Sequence, residues 1–526
     1  MAVKTTPNTP SSDYEAMAPY WNMVETVLSG ADAVRRSGQT YLPKFPNETE
    51  GDYEYRRENA KFTNIFSDIV STLASKPFGE ELSLVDQSAS DTIKALAEDI
   101  DGRGNNIHVF ASNVFFGGVA NAIDWILVDY TRARARADGR PLTIGEERSQ
   151  GLRPYWVHVP AKRMLAAYTD VVNGKEIFVH ARMQENLTYR DGFDEVCVER
   201  VRVLDREPVY EVVSGIETGR IIGYAPATFT IYEKKAAKRG AGSNWEVVDA
   251  GLVTLGVIAL VPFVTGRRIG GGWRVEPPMK PAAELQIEHY QQETALKSIK
   301  ELTAFPMLAG NGVTPAVEGG KVVAVPVGPR SVLYAPPSGD TASHGEWTFI
   351  EPSASSLKFL AEDVANTEKQ LRELGRQPLL VSSGITVVAA AYASQKASSI
   401  LKSWALGLKD ALEQALKLTA MWLGDSSEPT ISWSLEDLDI DERDDDGSAD
   451  LLEARKNGDL SQETLWEELK RRGKLSSDFD PAQERQRLED ETPDPDGPGD
   501  ISDALGGGAD PANDPDPEAE LEQVAA

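Results

Sequence analysis

At Ala120 the spacing of apolar residues changes, and no other feature of the chain constrains its fold as strongly. Before that point apolar residues recur at intervals of three and four. Phe62, Ile65, Phe66, Ile69, Val70 and Leu73 form one such stripe, which stops near Lys76-Pro77, as an amphipathic helix requires. Ser12 and Glu15 have the spacing of a capping box, so a helix is expected over 14–28. Two shorter helices are expected over 92–100 and 107–116, separated by the turn-forming run Asp101-Gly102-Arg103-Gly104-Asn105. After Ala120 come short runs rich in Val, Ile, Tyr, Phe and Thr, bounded by Gly, Asn, Asp and Pro, the signature of a largely antiparallel sheet. Strands are expected at 123–130, 155–159, 164–172, 177–183, 196–204, 209–213, 228–233, 245–248 and 257–263.

Helical spacing returns after Pro277-Pro278. A helix is expected over 281–303, then short Gly- and Pro-spaced strands over 307–347, as a compact β insertion between helices. Leu357, Leu360, Val364, Leu371 and Leu374 mark the next helix, closed by Gly375, and 389–423 reads as a long Ala-rich helix closed by Gly424. Small helices follow over 449–491, where Asp480, Pro481 and Gln483 read as N-cap, first-turn proline and capping-box partner. Beyond Thr492 the Asp-, Pro- and Gly-dominated run has too little apolar surface to order itself, and a disordered tail is expected. The class is α+β, in a chain of 526 residues long enough for two or three cores.

Charge narrows the function. The formal net charge is −29, the opposite of the basic footprint with which proteins grip phosphates, so tight nonspecific DNA binding is disfavoured. The tail from Asp478 onward carries sixteen acids and two bases, a net of −14 and about half of the total. Cys197 is the single cysteine, which rules out an intrachain disulfide. No run approaches the ~18 apolar residues of a membrane span, and the first twelve residues have neither a basic cluster nor an apolar segment; neither membrane insertion nor a secretion signal is expected.

Catalytic and cofactor signatures are weak. Gly319-Gly320-Lys321 resembles part of a phosphate loop, but Pro315 stands where the leading glycine belongs and Val322 where the Mg²⁺-binding hydroxyl belongs. His108, His158, His180, His289 and His344 show no helical pair of the zinc-protease kind, and Ser382-Ser383-Gly384 lacks the glycines of a nucleophile elbow. No catalytic residue, no cofactor and no metal is therefore expected. One acidic stretch has two readings. Glu442, Asp444, Asp446, Asp450 and Glu453, with Gly447 and Ser448, fall at calcium-loop positions, yet the first ligand is Glu rather than Asp, and an acidic linker capping the next helix is the plainer reading. Arg132, Arg134 and Arg136 alternate at a strand end, and Lys234, Lys235, Lys238 and Arg239 sit in a hairpin loop. Such runs are solvated, or else they contact a neighbouring subunit or DNA phosphates.

Several stretches together resemble one family, the portal proteins of tailed bacteriophages, in particular a portal-like family catalogued as a domain of unknown function. They are Val34-Arg35-Arg36-Ser37-Gly38-Gln39-Thr40-Tyr41-Leu42-Pro43, Asp99-Ile100-Asp101-Gly102-Arg103-Gly104, Ile126-Leu127-Val128-Asp129-Tyr130, Ala282-Ala283-Glu284-Leu285-Gln286-Ile287-Glu288-His289-Tyr290, Phe305-Pro306-Met307-Leu308, Phe349-Ile350-Glu351-Pro352, Asp410-Ala411-Leu412-Glu413-Gln414-Ala415-Leu416 with Trp422-Leu423-Gly424, and Asn457-Gly458-Asp459-Leu460-Ser461-Gln462-Glu463-Thr464 with Arg472-Gly473-Lys474-Leu475. Their order carries the likeness over 14–490; Ala166-Ala167-Tyr168 departs from it.

The resemblance implies a homo-oligomeric ring, a dodecamer, at a capsid vertex of the virion, assembled in the bacterial cytoplasm. Its partners would be the terminase, tail adaptors, capsid proteins and, transiently, double-stranded DNA of any sequence, with no membrane. In its terms 1–280 is N-terminal helices and a mixed α/β wing, 281–305 the first stem helix, 306–350 a β clip and 351–376 the second stem helix. A tunnel loop at 377–388, a long channel-side helix and return to the wing at 389–447, a helical crown at 448–491 and the acidic tail at 492–526 complete it. Leu379, Leu380, Val381, Ser382, Ser383, Ile385 and Val387 would face the channel; a short apolar run between turn signals also fits a buried strand. The alternatives from other classes are an adaptor or capsid-associated virion protein and a DNA-processing enzyme.

Overall fold

The computed structural model describes residues 6–46, 48–131, 149–213, 216–235, 244–303, 307–311, 317–318, 321–322, 332–335, 346–350, 354–376, 387–435, 451, 455–456, 461–471 and 484–485. Contacts divide the chain into two units, Met1–Asp441 and Glu442–Ala526. The fold is α+β.

In the first unit α1 (Ser12–Leu28) is capped by Ser11, whose Oγ accepts from Tyr14 N at 3.2 Å. The expected Ser12/Glu15 box is thus displaced by one residue. The cause is tertiary: Ser11 N donates to Leu165 O at 2.9 Å, which holds Ser11 extended and starts the helix after it. Two short helices, α2 (Ala31–Arg36) and α3 (Glu50–Glu58), were not anticipated, being too short for a legible stripe. A signal did exist in α3, with acids Glu50 and Asp52 in its first turn and Arg56 and Arg57 in its last, the arrangement the helix dipole favours. Helix α4 (Ile65–Ser75) buries Ile65, Phe66, Ile69, Val70 and Leu73, as the stripe requires. Helix α5 (Asp91–Ala97) is shorter than expected, and α6 (Ile107–Asn121) runs five residues beyond Phe116.

The extension of α6 passes through Gly117 and Gly118, where the helix touches a sheet. That sheet is antiparallel, in the order β13-β2-β3, once β1 (Ser83–Leu84) is set aside; its strands are β2 (Ile123–Tyr130), β3 (Pro154–Val159) and β13 (Leu260–Val264). A Cβ on Gly118 would lie 2.2 Å from Phe263 Cε1, so only glycine allows this approach. Phe263 stacks on Phe115, with ring centroids 5.6 Å apart.

A second antiparallel sheet has the order β12-β11-β8-β5-β4, from β4 (Met164–Val172), β5 (Lys175–Gln184), β8 (Arg200–Asp205), β11 (Thr228–Lys235) and β12 (Asn244–Leu252). The single strand expected over 196–204 is in fact two. Among the described residues β7 (Asp194–Val198) pairs only with β6 (Leu187–Asp191), whereas β8 pairs with β5 and β11. Periodicity shows which face a residue takes but not which strand it pairs with, so the break at Glu199 was invisible. A second unanticipated hairpin is β9 (Pro208–Val213) with β10 (Ile216–Tyr224). Since β5, β8 and β11 alternate in direction, the β6–β7 and β9–β10 hairpins leave opposite ends of this sheet. Arg202 ties the two sheets together, with Nη1 2.5 Å from Asp129 and Nη2 2.8 Å from Glu185. Burial works against its charge, but the two carboxylates more than offset that and raise its pKa.

Short strands β14 (Arg267–Arg268) and β15 (Val275–Glu276) form a clip of their own before the chain turns helical. Helix α7 (Lys280–Thr303) leads into β16 (Met307–Asn311), β17 (Val317–Glu318), β18 (Lys321–Val322), β19 (Val332–Ala335) and β20 (Glu346–Ile350), and then come α8 (Ala354–Arg376) and α9 (Val387–Leu423). Gly424, at φ +64°, stops α9 as expected. Leu401, Ala405, Leu408, Leu412, Ala415 and Leu416 sink the second half of α9 into the main core, and Trp156 Nε1 donates to Thr419 Oγ1 at 2.8 Å. Last, β21 (Ile431–Ser432) pairs with β1, joining the chain after α9 to the N-terminal helices. In the second unit α10 (Gln462–Arg471) begins after Ser461, whose Oγ accepts from Thr464 N at 3.2 Å.

Candidate functional site

The part of the molecule with the most specific polar chemistry is α7 and what it anchors. Gln286 is fully buried, and its Oε1 accepts from Ile65 N and Phe66 N, both at 2.9 Å, while its Nε2 donates to Thr63 O at 2.9 Å. Those two amides are the first of α4 and have no partner within that helix, so α7 caps α4 from outside. Two turns along, Glu293 accepts from Thr63 Oγ1 at 3.0 Å and pairs with Lys61 Nζ at 2.7 Å, and a turn further Lys297 Nζ reaches Asn59 O at 2.7 Å. Gln291 donates to Tyr41 O at 2.9 Å. The helix is held to the N-terminal body over several turns by groups that point in fixed directions.

Beyond α7 the insertion closes on itself. β16 pairs antiparallel with β20, Met307 opposite Ile350, and parallel with β19. The end of α7 and the start of α8 are therefore brought within a few residues of adjacent strands, about 4.8 Å apart. Chemically, this arrangement can transmit position: a β module mounted on two helices, both packed on the N-terminal body, α7 through its hydrogen bonds and α8 through Leu371, which is buried in the main core.

His289 lies on α7 where α8 packs against it. Its side chain is 1% exposed and neither ring nitrogen has a hydrogen-bond partner among the described residues. Burial lowers its pKa; Glu293 and Glu368 oppose that, and Lys61 and Arg372 add to it. A base with a folded pKa below its unfolded value of 6.5 contributes stability that is present above that pH and is lost as pH falls through it. The melting temperature of the protein is expected to drop between pH 7.5 and 5, and the drop to shrink in His289→Leu. An unchanged pH profile in the variant would show that His289 does not contribute.

The other described histidines have ordinary partners; His344 lies outside the described residues. His108 Nδ1 accepts from Leu82 N at 3.1 Å and His180 Nδ1 lies 2.9 Å from Asp205 Oδ1. His158 Nε2 is 2.6 Å from Oδ2 of Asp124, which is fully buried. Burial raises the Asp124 carboxyl above its ordinary range, against the pull of His158. No hydroxyl or thiol bonds to His158 among the described residues, so the pair ties β2 to β3 and makes no nucleophilic triad. Lys321 lies in strand β18, whereas a phosphate loop places its lysine at the start of a helix. Among the described residues no cluster of metal-ligating side chains occurs, and no helix is long and apolar enough to cross a membrane.

Several residues singled out from the sequence lie outside the described residues: Leu379, Leu380, Val381, Ser382, Ser383 and Ile385, then Arg132, Arg134 and Arg136, and also Glu442, Asp444, Asp446, Asp450 and Glu453. Val387 does not belong to a loop; it is the first residue of α9, which starts two residues earlier than expected. The Ala-rich run after it has high helix propensity and favours extension of the helix backward, and apolar spacing cannot fix such a boundary. The sequence reading missed Gln286, because a buried glutamine on a helix looks like any polar position until its partners are known.

A family described only as a domain of unknown function, DUF4055, matches residues 278–423, from just before α7 to the end of α9. No curated protein matches the chain. Among solved structures, a chain in the virion of a native gene transfer agent particle is similar at 11% identity and a TM-score of 0.35, covering 83% of this chain and 96% of that one. A chain from the neck of the native particle with C12 symmetry gives 11% and 0.35, covering 80% and 88%. One from the neck of the empty particle with C6 symmetry gives 10% and 0.34, with the same coverage.

Proposed function

We propose that this chain is a structural subunit of a tailed-phage-like particle, and specifically its portal subunit: a non-enzymatic protein that forms a homo-oligomeric ring, a dodecamer, through which double-stranded DNA is packaged and ejected. One observation carries the reading. A body of helices and antiparallel sheet is followed by helix α7, a β module closed on itself, helix α8 and the long helix α9 that returns into the body's core. In that reading α7 and α8 are the stem, 306–350 is the clip that docks terminase and later tail adaptors, and the tunnel loop is 377–386, ending where α9 begins at Val387.

The charge of −29 is consistent with the task. A ring that guides DNA driven by a separate motor must not hold phosphate, and acidic walls repel a duplex that comes within the ~8 to 10 Å beyond which salt screens them. Negative-stain electron microscopy of the purified protein is expected to show twelvefold rings; monomers or hexameric motors would overturn the reading.

Deleting 306–350 is expected to leave a soluble, ring-forming body that no longer retains terminase in a pull-down. Retained docking would remove the clip from that role. Ser382→Arg with Ser383→Arg is expected to leave rings intact and to slow packaging, most at low salt, where guanidinium attraction to phosphate is strongest. Normal packaging at every salt concentration would place the loop away from the DNA.

A further inference from the structure

A neutral imidazole carries one donor and one acceptor, and buried groups of that kind are nearly always paired, yet both nitrogens of His289 are unpartnered among the described residues. Four charged groups face the ring: Glu293 one turn along α7, Lys61 from the segment before α4, and Glu368 and Arg372 from α8. All four are already engaged, Glu293 with Lys61 at 2.7 Å and Glu368 with Arg372 at 2.9 Å. Of the other helices that touch α7, α4 carries only Asp68, which is exposed; α1 uses Glu25 on Lys162 and Asp13 on Trp273 N, and its Glu15 is exposed. Helix α8 is lightly seated beside the ring. Between Leu357 and Leu374 only Thr367 and Leu371 are buried, and no residue from Leu357 to Asn366 is.

We propose that His289 is a proton-operated pivot between α7 and α8: uncharged, it lets the helices pack as observed, and protonated, it draws the Glu368 carboxylate off Arg372, so that α8 tilts about Leu371 and moves the β module mounted on it. A buried imidazolium has two N–H donors and a charge that must be paired. Glu293 cannot answer it freely, being held to the body by Thr63 and Lys61. Glu368 can, because its partner Arg372 sits on the same helix with 39% of its side chain exposed, and water satisfies the guanidinium when the carboxylate turns inward. The proton is bound more tightly in the tilted state than in the observed one. Between the two pKa values the ratio of tilted to observed chains therefore rises by up to about tenfold for each unit of pH lost. The pivot needs only the α7–α8 contact, and a chain that forms no ring would still show it.

The test uses the full chain with Cys197→Ser and spin labels on Glu284→Cys in α7 and Ala365→Cys in α8, both exposed positions. Their separation, read by pulsed electron paramagnetic resonance, is expected to be a single distance at pH 8 and to be joined by a second as the pH falls to 5.5. His289→Leu is expected to keep the first distance at every pH, and Glu368→Gln to lower the second population at least tenfold. Arg372→Gln frees Glu368 and is expected to bring the second distance in at higher pH. Circular dichroism marks the range over which each variant stays folded; if acid unfolds the wild type, the comparison is made at pH 6 to 8 with Arg372→Gln. One distance throughout in that variant and in the folded wild type, or a second distance that survives in His289→Leu, would overturn the pivot.

Discussion

Gly117→Ala is expected to cost about 3 kcal/mol of stability, at the upper end of what overpacking a core does. In the interior of a helix the same change ordinarily gains up to about 1 kcal/mol, so the expected sign is the reverse of the propensity rule. A Cβ at position 117 would stand 1.8 Å from Asp124 Oδ2 and 2.9 Å from Asp124 Cγ. The carboxylate has nowhere to withdraw: Asp124 is fully buried on β2 and bonded to His158 on β3. Relief requires α6 to move off the sheet, which breaks its packing on Phe263 as well. Gly118→Ala should behave alike, for the ring at 2.2 Å. The contrasting position is Gly407 in α9, where an added Cβ meets nothing within 4 Å; alanine there should stabilise by about 0.5 to 1 kcal/mol. Urea or thermal unfolding of the three variants decides it. A Gly117→Ala protein as stable as the wild type would mean that the close approach of α6 to β2 is wrong.

Gln286→Leu is expected to be at least as damaging. It removes the acceptor of Phe66 N, one of two acceptors of Ile65 N, which also donates to Thr63 O at 3.1 Å, and the donor to Thr63 O; leaving buried polar groups unmade costs about 1 to 3 kcal/mol each, so a loss of about 3 to 4 kcal/mol is expected. Leucine has nearly the volume of glutamine, so packing changes little and the hydrogen bonds account for the effect. Gln286→Glu separates the parts: it keeps an acceptor for Ile65 N and Phe66 N but loses the donor and buries a charge. Hydrogen exchange at those two amides should quicken in Gln286→Leu well beyond the rest of α4. Equal protection in variant and wild type would show that α7 does not cap α4.

These two sites mark how far the sequence could be read. The α6 region was recognised as a helix, but its extension through Gly117-Gly118 was not, because glycines argue against a helix unless a surface presses on them. Likewise the stripe from Ile65 to Leu73 located α4, while the residue that caps it lies more than two hundred positions away. The functional candidates fared unevenly. The helix, strands, helix and long-helix order from 280 to 423 was legible, since each element has its own period and a terminating glycine or proline. The short elements α2, α3, β6 and β7 were not, since they are too short for period to register.

By itself, the sequence determined what local spacing can encode: which face of each long helix and strand is apolar, where the chain changes from helix to sheet at Ala120, and a net charge that disfavours clinging to DNA. Tertiary structure alone decided the partners. It set α1 to start after Ser11, by tying that residue to Leu165, split 194–205 between two sheets at Glu199, and aimed Gln286 at α4. Burial is a property that one residue and its near neighbours share, so period reveals it; a hydrogen bond between distant residues depends on the directions of both, which exist only once the chain has folded.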